Sequence, residues 1–223
     1  MPIAAVLADP KAQPPRGNSA PRLAGLVDGT LSNLGPGERV FDEEDRADCL
    51  YEVLGGIVRT LHVGPGGGRT IYGFFISGEI FGLESRPAHR CSAEAVGEAS
   101  VARYKRAHLE KLALVDRTVA TQLWSWLTSS GEQASVRQAL LARGNAVQKI
   151  AQFLLEMART ATAGGPINLP MSRYDIADYL GLSSETVSRT FTDLRRQTLI
   201  AVEGRTIRLL KPLALRQLVA TFN

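Results

Sequence analysis

The chain has 223 residues, 44% of them hydrophobic and 22% charged, ordinary proportions for a soluble globular protein of one or two domains. No apolar run approaches the ~20 residues of a membrane span, no basic segment precedes a secretory-type apolar stretch, and Cys49 and Cys91 cannot build a disulfide framework, which leaves a cytoplasmic globular protein without a membrane partner as the expectation. The net charge of +4 is uneven: ten of the 26 basic and six of the 22 acidic side chains lie from Asn145 onward, leaving sixteen of each before it, so a basic module that could face a polyanion stands beside a neutral one.

Residues 1–22 read as a loose arm. Pro2, Pro10, Pro14, Pro15 and Pro21 stand among Ala, Gln, Asn and Ser, with too little apolar material to offset the entropy of ordering. Residues 23–106 read as a β domain. Turn signals occur at Gly35-Pro36-Gly37, Asp45-Arg46, Gly55-Gly56, residues 64–68 and Gly78. Between them lie β-type runs such as Cys49-Leu50-Tyr51-Glu52-Val53-Leu54 and Ile57-Val58-Arg59-Thr60-Leu61-His62-Val63. Short strands at this spacing, punctuated by glycine, predict a sandwich or small barrel.

Residues 107–143 predict one long helix, since residues 112–141 lack proline and contain a single glycine, Gly131. Val115, Val119, Leu123, Trp126 and Leu127 recur at three- and four-residue steps, a seam along one face. It turns polar at Ser130, Gln133 and Arg137 and closes on Leu140 and Leu141. Core packing and a partner helix both explain such a stripe; its length and its place between two modules favour a partner helix.

Residues 144–223 form the third segment. A helix over residues 145–160 presents Ile150, Phe153, Leu154 and Met157, and Gly164-Gly165-Pro166 ends it. Ser172 then suits an N-cap, with Asp175 three residues on as a capping-box partner. Ile176, Ala177 and Leu180 turn inward, Gly181 suits the left-handed position that ends a helix, and Ser183 caps the next one. Helix, tight glycine turn, helix is a helix-turn-helix layout.

The second helix divides by face. Val187, Phe191 and Leu194 anchor it, whereas Glu185, Ser188 and Arg189 share the opposite side, continued by Thr192 and Arg196. A reading helix needs base-edge partners in its first turns and groups for phosphates beyond. Arg pairs bidentately with guanine and Glu accepts from cytosine N4. A helix hairpin with an ordinary solvated face shows the same spacing. Downstream, Ile200-Ala201-Val202 and Thr206-Ile207-Arg208-Leu209-Leu210 flank Glu203-Gly204-Arg205, a β-hairpin that makes the unit a winged helix, with Arg205 and Arg208 on the wing.

The stretch Asp175-Ile176-Ala177-Asp178-Tyr179-Leu180-Gly181-Leu182-Ser183-Ser184-Glu185-Thr186-Val187-Ser188-Arg189-Thr190 resembles the helix-turn-helix of the Crp/Fnr family of bacterial transcription regulators. It is most similar to the Fnr and FixK branches, whose hallmark is Glu-Thr-[Val/Ile]-Ser-Arg. Gly37-Glu38-Arg39-Val40-Phe41, Leu50-Tyr51-Glu52-Val53, Gly56-Ile57-Val58-Arg59 and Gly78-Glu79-Ile80-Phe81-Gly82 resemble the family's β-roll.

The resemblance implies an α+β chain: an N-terminal β-roll of the cyclic-nucleotide-binding kind, a long dimerisation helix, and a C-terminal winged helix-turn-helix. It implies that Arg189 contacts guanine, Glu185 the opposed cytosine and Ser188 a neighbouring thymine of a TTGAT-type half-site. Ser172, Thr186, Thr192, Arg196 and Arg205 are then phosphate contacts. Val119, Leu123, Trp126 and Leu127 become dimer contacts rather than core. The function implied is non-enzymatic: a homodimeric activator on a palindrome in double-stranded DNA, touching RNA polymerase.

The sensing half departs from better-known members. An iron–sulfur cluster needs four thiolates, and the chain has two cysteines. Where the cyclic-AMP receptor holds a Glu and an Arg-Ser pair, this chain has Leu83 and Cys91-Ser92, so a bound phosphate lacks its counter-charge. His62, His89 and His108 show no metal spacing and read as surface or edge histidines. The expectation is therefore no cofactor and no metal. Cys91 beside Arg90 could have a lowered pKa and respond to oxidants, or be a small half-buried residue. The alternatives are a DNA-binding receptor gated by a small molecule of the cyclic-nucleotide type and a cupin-type metal enzyme, the latter opposed by the missing histidine cluster.

Overall fold

The computed structural model describes residue 23, residues 27–161 and residues 165–220; the arm expected over residues 1–22 lies outside them. Eight strands come first: β1 (Thr30–Leu34), β2 (Arg39–Phe41), β3 (Cys49–Gly55), β4 (Ile57–Val63), β5 (Arg69–Ile76), β6 (Ile80–Phe81), β7 (Ser92–Ala95) and β8 (Ala99–Lys105). They form two four-stranded antiparallel sheets, ordered β1-β8-β3-β6 and β2-β7-β4-β5. Leu34, Phe41, Tyr51, Val53, Val58, Phe81, Ala93, Ala95 and Val101 fill the space between them. The β3–β4 turn depends on Gly56, whose φ is +75° and where a Cβ would lie 2.2 Å from the Glu98 carbonyl oxygen.

The β4–β5 ladder is covered on both faces. Val58 points into the sandwich, whereas Ile57, Leu61, Ile71, Phe74 and Ile76 belong to the same apolar cluster as the C-terminal module. Double coverage is why Ile57-Val58 and Phe74-Phe75-Ile76 lack the strict alternation of a half-solvated strand. His89, expected at the surface, is fully buried. Its ring stacks on Phe41 with centroids 3.6 Å apart, and neither ring nitrogen has a hydrogen-bond partner. Burial lowers its pKa against the opposing pull of Glu84 and Asp45, so the ring is a neutral core element.

The expected long helix is two: α1 (Arg106–Val115) and α2 (Arg117–Arg143). Asp116 adopts an extended conformation, and its carboxylate accepts from the Thr118 and Val119 N–H groups at 2.7 and 3.3 Å. It is thus an N-cap that starts a fresh helix. Val115, read as the first residue of the seam, falls outside α2 and is exposed.

The C-terminal module comprises α3 (Ala146–Met157), a 3-10 turn (Ala158–Thr160), β9 (Ile167–Asn168), α4 (Arg173–Leu180), α5 (Ser184–Arg196), β10 (Ile200–Glu203), β11 (Thr206–Leu209) and α6 (Pro212–Ala220). Strands β10, β11 and β9 form a three-stranded antiparallel sheet. Ile150, Phe153, Leu154, Ile176, Val187, Leu194, Ile200, Ile207 and Leu215 close its core.

Candidate nucleic-acid interface

Local chemistry fixes the two helices that carry the site. The Ser172 hydroxyl accepts the Asp175 N–H at 3.1 Å while the Asp175 carboxylate accepts the Ser172 N–H at 2.8 Å, a reciprocal capping box. Gly181 ends α4 in the left-handed region, φ 61° and ψ 44°, which a β-carbon disfavours. Ser183 then caps α5 through the Thr186 N–H at 3.1 Å.

Helix α5 buries Val187, Thr190, Phe191 and Leu194. Glu185, Ser188 and Arg189 all stand exposed on the other face, so the structure brings the expected base-reading residues together. Arg189 donates to Glu185 one turn earlier, with side chains 77% and 70% exposed. The Ser188 hydroxyl donates to the Ser184 carbonyl at 2.9 Å, which leaves its lone pairs outward.

The expected phosphate-contacting residues fall in two groups. Thr192 and Arg196 extend the exposed face of α5, where Thr192 donates to the Ser188 carbonyl at 3.0 Å and Arg196 meets Asp193 at 3.1 Å. Thr186 shares a 2.8 Å hydroxyl contact with Ser183. Ser172 and Arg205 both line a groove of about 190 Å³ between α4 and the β10–β11 wing. Arg173, absent from the expected set, lines the same groove. Its guanidinium sits 3.6 Å from the centre of the Phe191 ring, a cation–π contact that ties α4 to α5. Its position just after a capping serine was the available signal.

The four expected dimer contacts do not share one fate. Val119 and Trp126 are 1% and 6% exposed and pack with Leu50, Ile80, Ala102, Tyr104 and Leu109, the β-roll and α1, with Leu123 half-buried against the same cluster. Only Leu127 of the four is exposed, at 50%, beside Trp124 at 70%. The seam read from the sequence is therefore mostly the inward face of α2, because the sandwich claims it first. Trp124, Leu127 and Gly131 form the outward stripe at three- and four-residue steps, with the half-buried Ala120 one turn before it.

The β-roll offers no phosphate cradle at the expected positions. Leu83 is exposed and Cys91 and Ser92 are half-buried. The neighbouring Arg90, its side chain 65% exposed, reaches Glu84 at 3.4 Å. These residues do not fit a buried cyclic-nucleotide phosphate, which needs a desolvated cation. Nor is Cys91 activated: burial, then the Glu84 and Glu43 carboxylates, push its thiol up to about 11, and Arg90 does not offset them. Of the two readings of Cys91, its surroundings favour the small half-buried residue over the oxidant-responsive thiol. Among the described residues, no three His, Cys, Asp or Glu side chains group as a metal site, and no helix is long and apolar enough to cross a membrane.

Comparison with known proteins agrees with this geometry. Residues 148–218 match the Crp-like helix-turn-helix domain and residues 31–116 the cyclic nucleotide-binding domain. The chain is 35% identical over 201 residues to the nitrogen fixation regulation protein FixK of Rhizobium meliloti, covering 90% of this chain and 89% of that one. It is 34% identical over 182 residues to the transcriptional activatory protein AadR of Rhodopseudomonas palustris, covering 80% and 76%. The solved structure of FixK2 from Bradyrhizobium japonicum superposes with a TM-score of 0.79 at 39% identity, over 86% of this chain and 98% of that one. With a β-roll, a winged helix-turn-helix and near full-length similarity to FixK, the chain belongs to the Crp/Fnr family of DNA-binding transcription regulators.

Proposed function

We propose that the chain is a homodimeric transcription activator that reads a TTGAT-type palindrome. The observation that carries this is the exposed Glu185, Ser188 and Arg189 face of α5, held rigid by buried Val187, Phe191 and Leu194. Arg189 pairs with guanine O6 and N7, Glu185 accepts from the opposed cytosine N4, and Ser188 meets a neighbouring thymine. Ser172, Arg173, Thr186, Thr192, Arg196 and Arg205 hold phosphates. Residues 23–106 form the body, α2 within residues 107–143 joins two copies through Trp124 and Leu127, and residues 144–223 bind DNA. A second half-site raises effective concentration, which one module lacks. The β-roll or the winged domain touches RNA polymerase, and the activity belongs in the cytoplasm.

Selection of bound sequences from a random DNA pool tests the reading. Enrichment of an inverted repeat with TTGAT-type arms is expected; equal recovery of unrelated sequences refutes it.

One observation favours a second reading, a small-molecule gate. A cavity of about 400 Å³ opens between the β-roll, α2 and the end of α3, with Phe75, Glu79, Trp126, Ser130, Arg137 and Arg159 in its wall. Calorimetry with cyclic nucleotides, combined with DNA affinity with and without them, separates the two: a ligand-dependent gain in affinity supports the gate.

A further inference from the structure

The body and the reading head are joined by directional ion pairs as well as by apolar contact. Arg59 on β4 reaches Glu94 on β7 through Nε at 2.8 Å and Asp175 on α4 through Nη1 at 2.7 Å. Arg69, at the start of β5, donates through Nη2 to Asp175 at 2.6 Å and through Nη2 and Nε to Asp178 at 2.8 and 3.0 Å. Two guanidinium groups therefore meet three carboxylates at one seam. Asp175 is the junction: one oxygen takes both arginines, and the other takes the Ser172 N–H that caps α4. Burial alone would raise its pKa, but the Ser172 N–H, Arg59 and Arg69 hold it below the usual carboxylate range.

Apolar contact covers the rest of the seam. Tyr179 of α4 sits edge-on to Phe74 of β5 at 5.1 Å and to Phe153 of α3 at 6.0 Å, with the Arg137 guanidinium 5.2 Å from its ring centre. Apolar burial holds the modules together without fixing their direction. Charge-assisted hydrogen bonds from a planar guanidinium do fix direction. Because α4 and α5 are locked by the Gly181 turn and the Arg173–Phe191 stack, a tilt of α4 is passed on to α5. A tilt of ~10° over a lever of ~20 Å, about the length of a 13-residue helix, moves the far end by ~3.5 Å, close to one base-pair step.

We propose that Arg59 and Arg69 are positioning residues: by gripping Asp175 and Asp178 they set the angle of the reading helix, and so the half-site separation that the dimer accepts. This rests on the palindrome reading above. Arg69 and Asp178 are the partners to test, since their side chains are 30% and 31% exposed, and breaking the more buried Arg59–Asp175 pair would leave an uncompensated charge.

The experiment measures the full-length chain and its Arg69→Gln, Arg69→Lys and Asp178→Asn variants on palindromes whose spacers differ by single base pairs, and on a duplex with one half-site. Thermal unfolding checks that each variant is folded. Arg69→Gln and Asp178→Asn are expected to bind the single half-site within about twofold of the parent while losing roughly tenfold of the preference for the best spacer over its neighbours. Arg69→Lys keeps the charge and recovers part of that preference. A spacer profile that Arg69→Gln leaves intact overturns the inference alone. An equal loss on one half-site and on the palindrome assigns Arg69 to the folding of α4 and also overturns it. A parent chain with no spacer preference removes the dimer reading and this inference together.

Discussion

Arg189 and Glu185 are ion-paired to each other across one turn of α5, both largely solvent-exposed. An exposed pair of this kind adds only ~0.3–0.5 kcal/mol to the helix. Under the proposed reading, the pair holds a guanidinium and a carboxylate side by side for a guanine and its opposed cytosine. Arg189→Ala is expected to cost roughly 1–3 kcal/mol on the selected site and to relax base choice at the guanine. Titration on specific and scrambled duplexes checks this, and equal losses on both would contradict base reading.

The two faces of α2 respond differently. Trp126→Ala opens a void against the β-roll and is expected to cost ~3–5 kcal/mol of folding stability, seen as a lower urea midpoint. Leu127→Glu, on the outward stripe, is expected to leave the fold intact and to separate the proposed dimer, seen in sedimentation as a shift to monomer. Should Leu127→Glu stay dimeric, the outward stripe is not the contact.

His89 carries a pH dependence of definite sign. Its folded pKa is lowered by burial, so between that value and the unfolded value of about 6.5 the unfolded chain binds the extra proton. Stability is therefore expected to fall as pH drops through about 6.5, with a slope of at most ~1.4 kcal/mol per pH unit. His89→Phe removes this component while keeping a ring against Phe41. Denaturant melts of both chains at stepped pH give the difference, and parallel curves would refute it.

Cys91 is expected to stay a thiol at neutral pH. Its pKa of about 11 predicts slow alkylation by iodoacetamide at pH 7–8 in a Cys49→Ser background, with the rate still rising at pH 10. Peroxide at neutral pH should leave DNA affinity unchanged. A reactivity plateau near pH 7 would mark an activated thiolate instead.

The helix-turn-helix was legible in the sequence because its determinants are local. The Ser172–Asp175 box, the Gly181 turn, the Ser183 cap and the two faces of α5 are all set by residues within about a turn of one another. The β-roll was legible in outline from its glycine turns, although β6 and β9, two residues each, carry too little pattern to be read. What only the tertiary structure decided are the contacts made across long stretches of chain. The inward stripe of α2 was chosen by the sandwich it packs on, His89 was buried against Phe41, and Cys91 was half-buried within the field of Glu84 and Glu43. The clasp of Arg69 on Asp175 spans 106 residues; no periodicity encodes such a pairing, since it exists only once two separately patterned modules have docked.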